Sequence, residues 1–243
     1  MKSYASAMGV SEGDIVMVNL VYQMEHLGVT CDNWNTTGPV DPDLCIKDKH
    51  STKLYDLWRK RDEDGPGACT SFATSNSAGK VFHGRNLDWN LEDSLKQFVI
   101  TVNYEKDGQV LFTGTTMVGF VGILHAVKQN AFGWSMDARR KGGSIALNAL
   151  EGFLRDGVRT PEQQARYVFE NAATYDDAVQ QLSDAKIVND AYFIVSGTKY
   201  PQGTVLARAR EMVAHKWDMV DTVAGEGDTW TGITNYDLNM PAP

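Results

Sequence analysis

Hydrophobic and polar positions alternate in blocks along this chain, and the blocks change period several times. Ser11 precedes Glu12-Gly13-Asp14, a cap residue with an acid three positions on, which predicts a helix start. Ile15, Val18, Tyr22 and His26 then recur at helical spacing, with Leu20, Val21 and Met24 widening the stripe, and Gly28 is the expected stop. Residues 29–68 lose that period. They carry Asn35-Thr36-Thr37, Gly38-Pro39, a charged stretch and Gly65-Pro66-Gly67, and read as an exposed connection with one short helix at 51–60.

From residue 68 the period is that of strands. Segments 68–75 and 80–89 flank Asn76-Ser77-Ala78-Gly79, and 98–105 and 109–116 flank Lys106-Asp107-Gly108. Both are hairpin signals. A further strand is expected at 132–139. Helices follow at 144–155, from Thr160-Pro161-Glu162-Gln163 to about residue 173, and at 176–185. The second of these has a Thr cap, Pro at the first position and Gln three after the cap. Strands return at 191–196, 204–210, 216–220 and 231–236. Strands, then helices, then strands predict an α+β domain: two antiparallel sheets with helices packed outside them.

Composition narrows the function. With 243 residues, 42% hydrophobic and 22% charged, the chain can bury a sizeable core. A net charge of −8 argues against a broad nucleic-acid surface, which needs surplus Lys and Arg. Three cysteines are too few for a disulfide scaffold and leave at least one free thiol. The longest run without Asp, Glu, Lys or Arg, 108–127, holds Gln109, three threonines, four glycines and His125, so it reads as a buried strand followed by a glycine-rich segment rather than a membrane helix. The first nine residues contain no apolar run of signal-peptide length.

Candidate chemistry centres on Cys69. It opens a predicted strand, and the hairpin turning at 76–80 returns Arg85, Asn86, Leu87 and Asp88 toward it. A cation beside a thiol favours the nucleophilic thiolate, and Arg85 never deprotonates. Asp88 is placed to orient a positively charged partner. His83, two residues from Arg85 on the same strand face, keeps a Cys–His dyad open as an alternative. His and Cys spacings match no metal motif, so neither metal nor cofactor is expected.

Cys69-Thr70-Ser71, His83-Gly84-Arg85-Asn86-Leu87-Asp88, Phe112-Thr113-Gly114-Thr115-Thr116 with Gly119-Phe120-Val121-Gly122, and Thr234-Asn235-Tyr236-Asp237 occur in that order. Together they resemble the N-acylethanolamine acid amidase and acid ceramidase family of N-terminal-nucleophile cysteine hydrolases, from about residue 10 to the last residue. The resemblance implies a four-layer αββα fold and hydrolysis of the linear amide bond of lipid amides. It implies self-cleavage between Ala68 and Cys69, giving an N-terminal segment 1–68, with its insertion at 29–67, and a catalytic segment 69–243 that stay together as one structural domain and a heterodimer of fragments. The α-amino group of Cys69 would then act as base for its own thiol. Cys69, Arg85, Asp88 and Asn235 are the implied catalytic residues, Asn235 as an oxyanion donor. Trp89, Met117, Phe120 and Leu124, with Trp134 nearby, are the candidate acyl-chain contacts.

The chain departs from the family pattern in three places. Ser135-Met136-Asp137-Ala138-Arg139 has Ala138 where relatives carry Glu, which puts acid-triggered maturation in question. The insertion brings Cys31 and Cys45, a candidate disulfide, and the sequon Asn35-Thr36-Thr37; these point to a lysosomal or secretory route. The chain stops at Pro243, soon after Asp237, where relatives continue with a further helix and strands. The expected partners are a lipid-amide substrate and a peripheral membrane contact, with no nucleic acid. Two other readings stand beside this one: a bile-salt or penicillin acylase-like amidase, and a catalytically silent lipid-binding homologue.

Overall fold

The computed structural model describes residues 1–25, 69–88, 96–139, 157–219 and 229–235, with side chains through residue 20 in the first stretch. The predicted helices at 51–60 and 144–155, Cys31 with Cys45, Ala68 and Trp89 lie outside the described residues.

Two helices come first, α1 (Lys2–Met8) and α2 (Glu12–Glu25). The α2 cap forms as predicted. Ser11 Oγ donates to Asp14 Oδ2 at 2.7 Å, and Asp14 N donates back to Ser11 Oγ at 3.1 Å. Its inward face differs from the predicted stripe. Ile15 and Asn19 are buried, while Val18 is exposed. Asn19 belongs inside because its amide is fully used: Nδ2 donates to the carbonyls of Ile15 and Gly119, and Oδ1 accepts from Val121 N. One side chain thereby fastens α2 to the turn at Gly119.

Among the described residues, ten strands form two antiparallel sheets. The small sheet has the order β10-β1-β2, with β1 (Thr70–Ser75), β2 (Val81–Asn86) and β10 (Trp230–Ile233). The large sheet runs in chain order through β3 (Val99–Lys106), β4 (Gln109–Met117), β5 (His125–Lys128), β6 (Phe132–Ala138), β7 (Ala191–Ser196), β8 (Gly203–Arg208) and β9 (Val213–Asp218). Both predicted hairpins turn where their residues demand it. Asn76 Oδ1 accepts from Ala78 N and Lys80 N. Asp107 and Gly108 take φ of 53° and 75°, the left-handed pair of a type I′ turn. Strand β5 was not predicted, and β9 and β10 begin earlier than expected.

Helices α3 (Pro161–Asn171) and α4 (Tyr175–Asp184) cover the outer face of the large sheet. Thr160 and Thr174 cap them by accepting from Gln163 N and Asp177 N. Lys128 Nζ donates to the carbonyls of Phe169 and Ala172 at the C-terminus of α3, where a cation also suits the helix dipole. Phe132, Trp134, Met136 and Ala138 of β6 pack against Ala165, Val168, Phe169 and Leu182 of these helices.

Strand alternation sends the other β6 residues to the opposite face, toward the small sheet. Part of that inter-sheet layer is apolar: Ile233 packs on Tyr192, Ile194, Val205 and Ala207. The part beside β1 and β2 is polar, and it frames Cys69. No helix among the described residues is long and apolar enough to cross a membrane.

Candidate active site

The β1–β2 register sets the site. Ser71 pairs with Arg85 and Ala73 with His83. Cys69, Ser71 and Ala73 are buried, whereas Phe72 is 41% exposed, so the first three face the large sheet. Directly paired residues share a face. Arg85 and His83 therefore point inward with Cys69, and Asn86 lies on the outer side.

Arg85 is gripped from the large sheet. Nη1 donates to the Leu124 carbonyl at 2.8 Å and Nη2 to the Met136 carbonyl at 2.6 Å. Its Nε lies 3.8 Å from Asp137 Oδ1, an ion pair too long for a hydrogen bond. Asp137 is completely buried and accepts from Ser71 Oγ at 2.7 Å. Burial raises its carboxyl to about 6, against the opposing pull of the Ser71 hydrogen bond and of Arg85.

The Cys69 thiol is free, with 4% exposure. Burial pushes its pKa up. Arg85 pulls it down, Asp137 pushes it up, and backbone hydrogen bonds from Asp88 and Ala138 favour the thiolate. Asp88 thus reaches the thiol through its backbone. Its exposed carboxylate accepts from Asn86 Nδ2 at 2.9 Å. The carboxylate that meets Arg85 is Asp137. Spacing along the hairpin does not show this, because Asp137 comes from β6.

Asn235, just past β10, is buried and donates from Nδ2 to the Ala138 carbonyl at 2.8 Å. An amide nitrogen carries two hydrogens, so one donor remains for a ligand. Ala138 sits at the end of β6 with its side chain in the helix-facing core. It approaches the thiol through its backbone alone.

His83 does not pair with Cys69. Its Nδ1 meets Ser196 Oγ at 2.8 Å and its Nε2 meets Ser135 Oγ at 2.7 Å. Burial, with His125 and Arg85 nearby, pushes its pKa down to about 4. It is a neutral tie between the two sheets. Among the acyl-contact candidates, Phe120 and Leu124 are buried and Met117 is partly buried; Leu124 also gives its carbonyl to Arg85. Trp134 is corrected: it faces α3 and α4 and stacks edge-on against Phe193, on the far side of the large sheet from Cys69. An open groove of about 330 Å³ beside α3, lined by Val121, Arg159, Gln163, Arg166, Tyr167 and Glu170, includes none of the site residues. No His, Cys, Asp and Glu cluster among the described residues is arranged to hold a metal ion.

Two facing antiparallel sheets, with a thiol at the start of an inner strand beside an anchored arginine, match a known class. The family model for linear amide C–N hydrolases, choloylglycine hydrolase family, covers residues 69–207. The N-acylethanolamine-hydrolyzing acid amidase of Oryctolagus cuniculus is 34% identical over 176 residues, covering 72% of this chain and 48% of that one. The acid ceramidase of Mus musculus is 30% identical over 183 residues, covering 70% and 46%. The solved structure of the Caenorhabditis elegans N-acylethanolamine-hydrolyzing acid amidase ortholog superposes with a TM-score of 0.60 at 31% identity, covering 70% of each chain.

The chain belongs to the choloylglycine hydrolase family of linear amide C–N hydrolases and has the α+β N-terminal-nucleophile hydrolase fold. It spans about half the length of the curated relatives it matches. The resemblance carried by the order of its motifs is borne out.

Proposed function

We propose that the chain hydrolyses the linear amide bond of lipid amides of the N-acylethanolamine or ceramide type, with Cys69 as nucleophile after self-cleavage between Ala68 and Cys69. One observation carries this reading. The family match opens on Cys69, the residue whose thiol the fold surrounds with Arg85 and two backbone donors. The named activities of the relatives supply the substrate class.

Cleavage leaves an α-amino group on Cys69. That amine takes the thiol proton as Sγ attacks the amide carbonyl, as a terminal amine serves N-terminal threonine nucleophiles. The carbonyl oxygen becomes an oxyanion. The remaining Asn235 Nδ2 hydrogen is a donor for it, and such donors are typically worth about 3–4 kcal/mol of barrier. Collapse breaks the C–N bond, and the ammonium returns its proton to the leaving amine. Water then attacks the thioester, giving the fatty acid and the free thiol. Arg85 supplies a fixed positive charge throughout, and Asp88 a backbone donor to the sulfur. Met117, Phe120, Leu124 and Trp89 are the acyl-chain contacts in this reading.

The fragments 1–68 and 69–243 stay associated as a heterodimer, and the substrate is met at a membrane surface. The Asn35-Thr36-Thr37 sequon, with Cys31 and Cys45, supports a secretory or lysosomal setting.

Turnover of N-acylethanolamine, ceramide, a conjugated bile salt and penicillin V by the full chain tests the substrate class. The lipid amides are expected to turn over, and Cys69→Ala to abolish it. Preference for the bile-salt conjugate or penicillin V would move the assignment within the family. Fatty-acid binding without turnover would make the chain a silent homologue.

A further inference from the structure

Asp137 is the group in this site that the mechanism above leaves unused. It is fully buried, and its Oδ2 has no hydrogen-bond partner among the described residues. Arg85 Nε, on the same side of the guanidinium as Asp137 Oδ1, has none either. A buried carboxylate left half-satisfied beside a nucleophile is costly as a purely structural element, since apolar packing at that point would avoid the desolvation.

We propose that Asp137 is a positioning residue for Cys69: by gaining or losing its own proton it sets how much of the Arg85 positive charge reaches the thiol, and so makes thiol reactivity depend on pH.

The geometry gives the sign. Arg85 is immobilised by the carbonyls of Leu124 and Met136, so its charge is fixed in place. Ionised Asp137 offsets that charge and disfavours the thiolate. Protonated Asp137 leaves Arg85 uncompensated, and the thiol pKa falls. Ser71 tunes the switch, because its hydroxyl donates to Oδ1 and favours the ionised form. The carboxyl titrates at about 6, so the change falls in mildly acidic solution.

The groups facing Asp137 are these. Cys69 stands just before β1, and β2 presents Arg85, with His83 one pleat further along. Asp88 follows β2 and pushes the Asp137 carboxyl up. Strand β7 presents Tyr192, opposite Asp137 in register. Strand β5 presents His125, opposite Ser135. His83 is pushed down to about 4 and His125 below its ordinary value, both mainly by burial. Replacing Asp137 leaves their contributions in place and removes its own.

The proposal rests on Cys69 being the reactive thiol, but its test needs no turnover. The full chain is alkylated with iodoacetamide across the range from about pH 4.5 to pH 8, and modification of the Cys69 peptide is followed by mass spectrometry. For the native chain the logarithm of the rate should rise with pH, with a shallow segment centred near 6. Asp137→Asn should give a straight rise, faster than native above that segment by on the order of tenfold. Ser71→Ala should move the segment to higher pH. Parallel profiles for the native chain and Asp137→Asn would overturn the proposal. So would a Ser71→Ala profile identical to native, which decides the matter alone if Asp137→Asn does not fold. A chain that shows the segment yet hydrolyses no amide would overturn the proposed function and leave this inference standing.

Discussion

Asn235 Nδ2 donates to the carbonyl oxygen of Ala138 at 2.8 Å, tying the end of the small sheet to the end of β6. The bond fixes the amide at Ala138, one of the two residues whose backbone favours the Cys69 thiolate. Asn235→Ala should lower kcat by roughly 10²–10³, as loss of an oxyanion donor does. It should also lower folding stability by about 1–3 kcal/mol, because the Ala138 carbonyl loses its side-chain donor. Steady-state kinetics and urea unfolding of the same preparation separate the two effects.

Arg85 spans two carbonyls with two different nitrogens, a task for a planar fork. A lysine at this position reaches one of them at most. Arg85→Lys should therefore retain a cation yet lose most turnover, and Arg85→Met should unfold more readily by about 3 kcal/mol, leaving Asp137 buried without its ion pair. Thermal unfolding beside kinetics checks both.

His83 makes the fold sensitive to acid. Its pKa falls from 6.5 to about 4 on folding, so the unfolded chain binds the proton first. Stability contributed by neutral His83 is present above 6.5 and is lost as pH falls toward 4, by at most about 3 kcal/mol. Asp137 works the other way. Its raised carboxyl favours folding at low pH, and that contribution is lost as pH rises through about 6. Unfolding free energies measured across this range should fall less steeply toward acid in His83→Gln than in the native chain.

Gly122 has no room for a side chain. An added Cβ would lie 2.6 Å from Glu162 Cβ and 2.9 Å from the Phe120 ring. Gly122→Ala should push the 120–124 segment off α3, cost about 1–3 kcal/mol, and slacken the Leu124 carbonyl that holds Arg85. The readouts are a lowered Tm and slower alkylation of Cys69. Gly84→Ala is a useful contrast. The three atoms nearest to its Cβ would all belong to the ring of Phe72, which is 41% exposed and can swing away, so the cost should be smaller.

Where local chemistry dictates structure, the sequence was legible. Asn76 through Gly79 and Asp107-Gly108 marked both hairpins, and the Thr160 cap marked the start of α3. The missed elements lack such marks. Strand β5 is four residues long with Ala126 buried, and α1 has no side-chain cap and buries only Ala5. The motifs singled out Cys69, Arg85 and Asn235, and the hairpin register explains how Arg85 comes to share a face with the thiol. The contact between Asp137 and Ser71 spans 66 residues, and that between Asn235 and Ala138 spans 97. No local spacing encodes either. The available signal was Asp137, the one charged side chain in the strand Phe132–Ala138, which is buried along its whole length.

The central claim is that Cys69 becomes an N-terminal nucleophile for lipid amides. Its most direct test is mass spectrometry of the full chain after incubation at acidic and neutral pH, followed by a brief exposure to N-acylethanolamine and an acid quench. The account predicts a fragment beginning at Cys69 that carries the acyl group on that residue, and neither fragment nor adduct in Cys69→Ala. An intact chain that acquires no acyl group on Cys69 at either pH would contradict it.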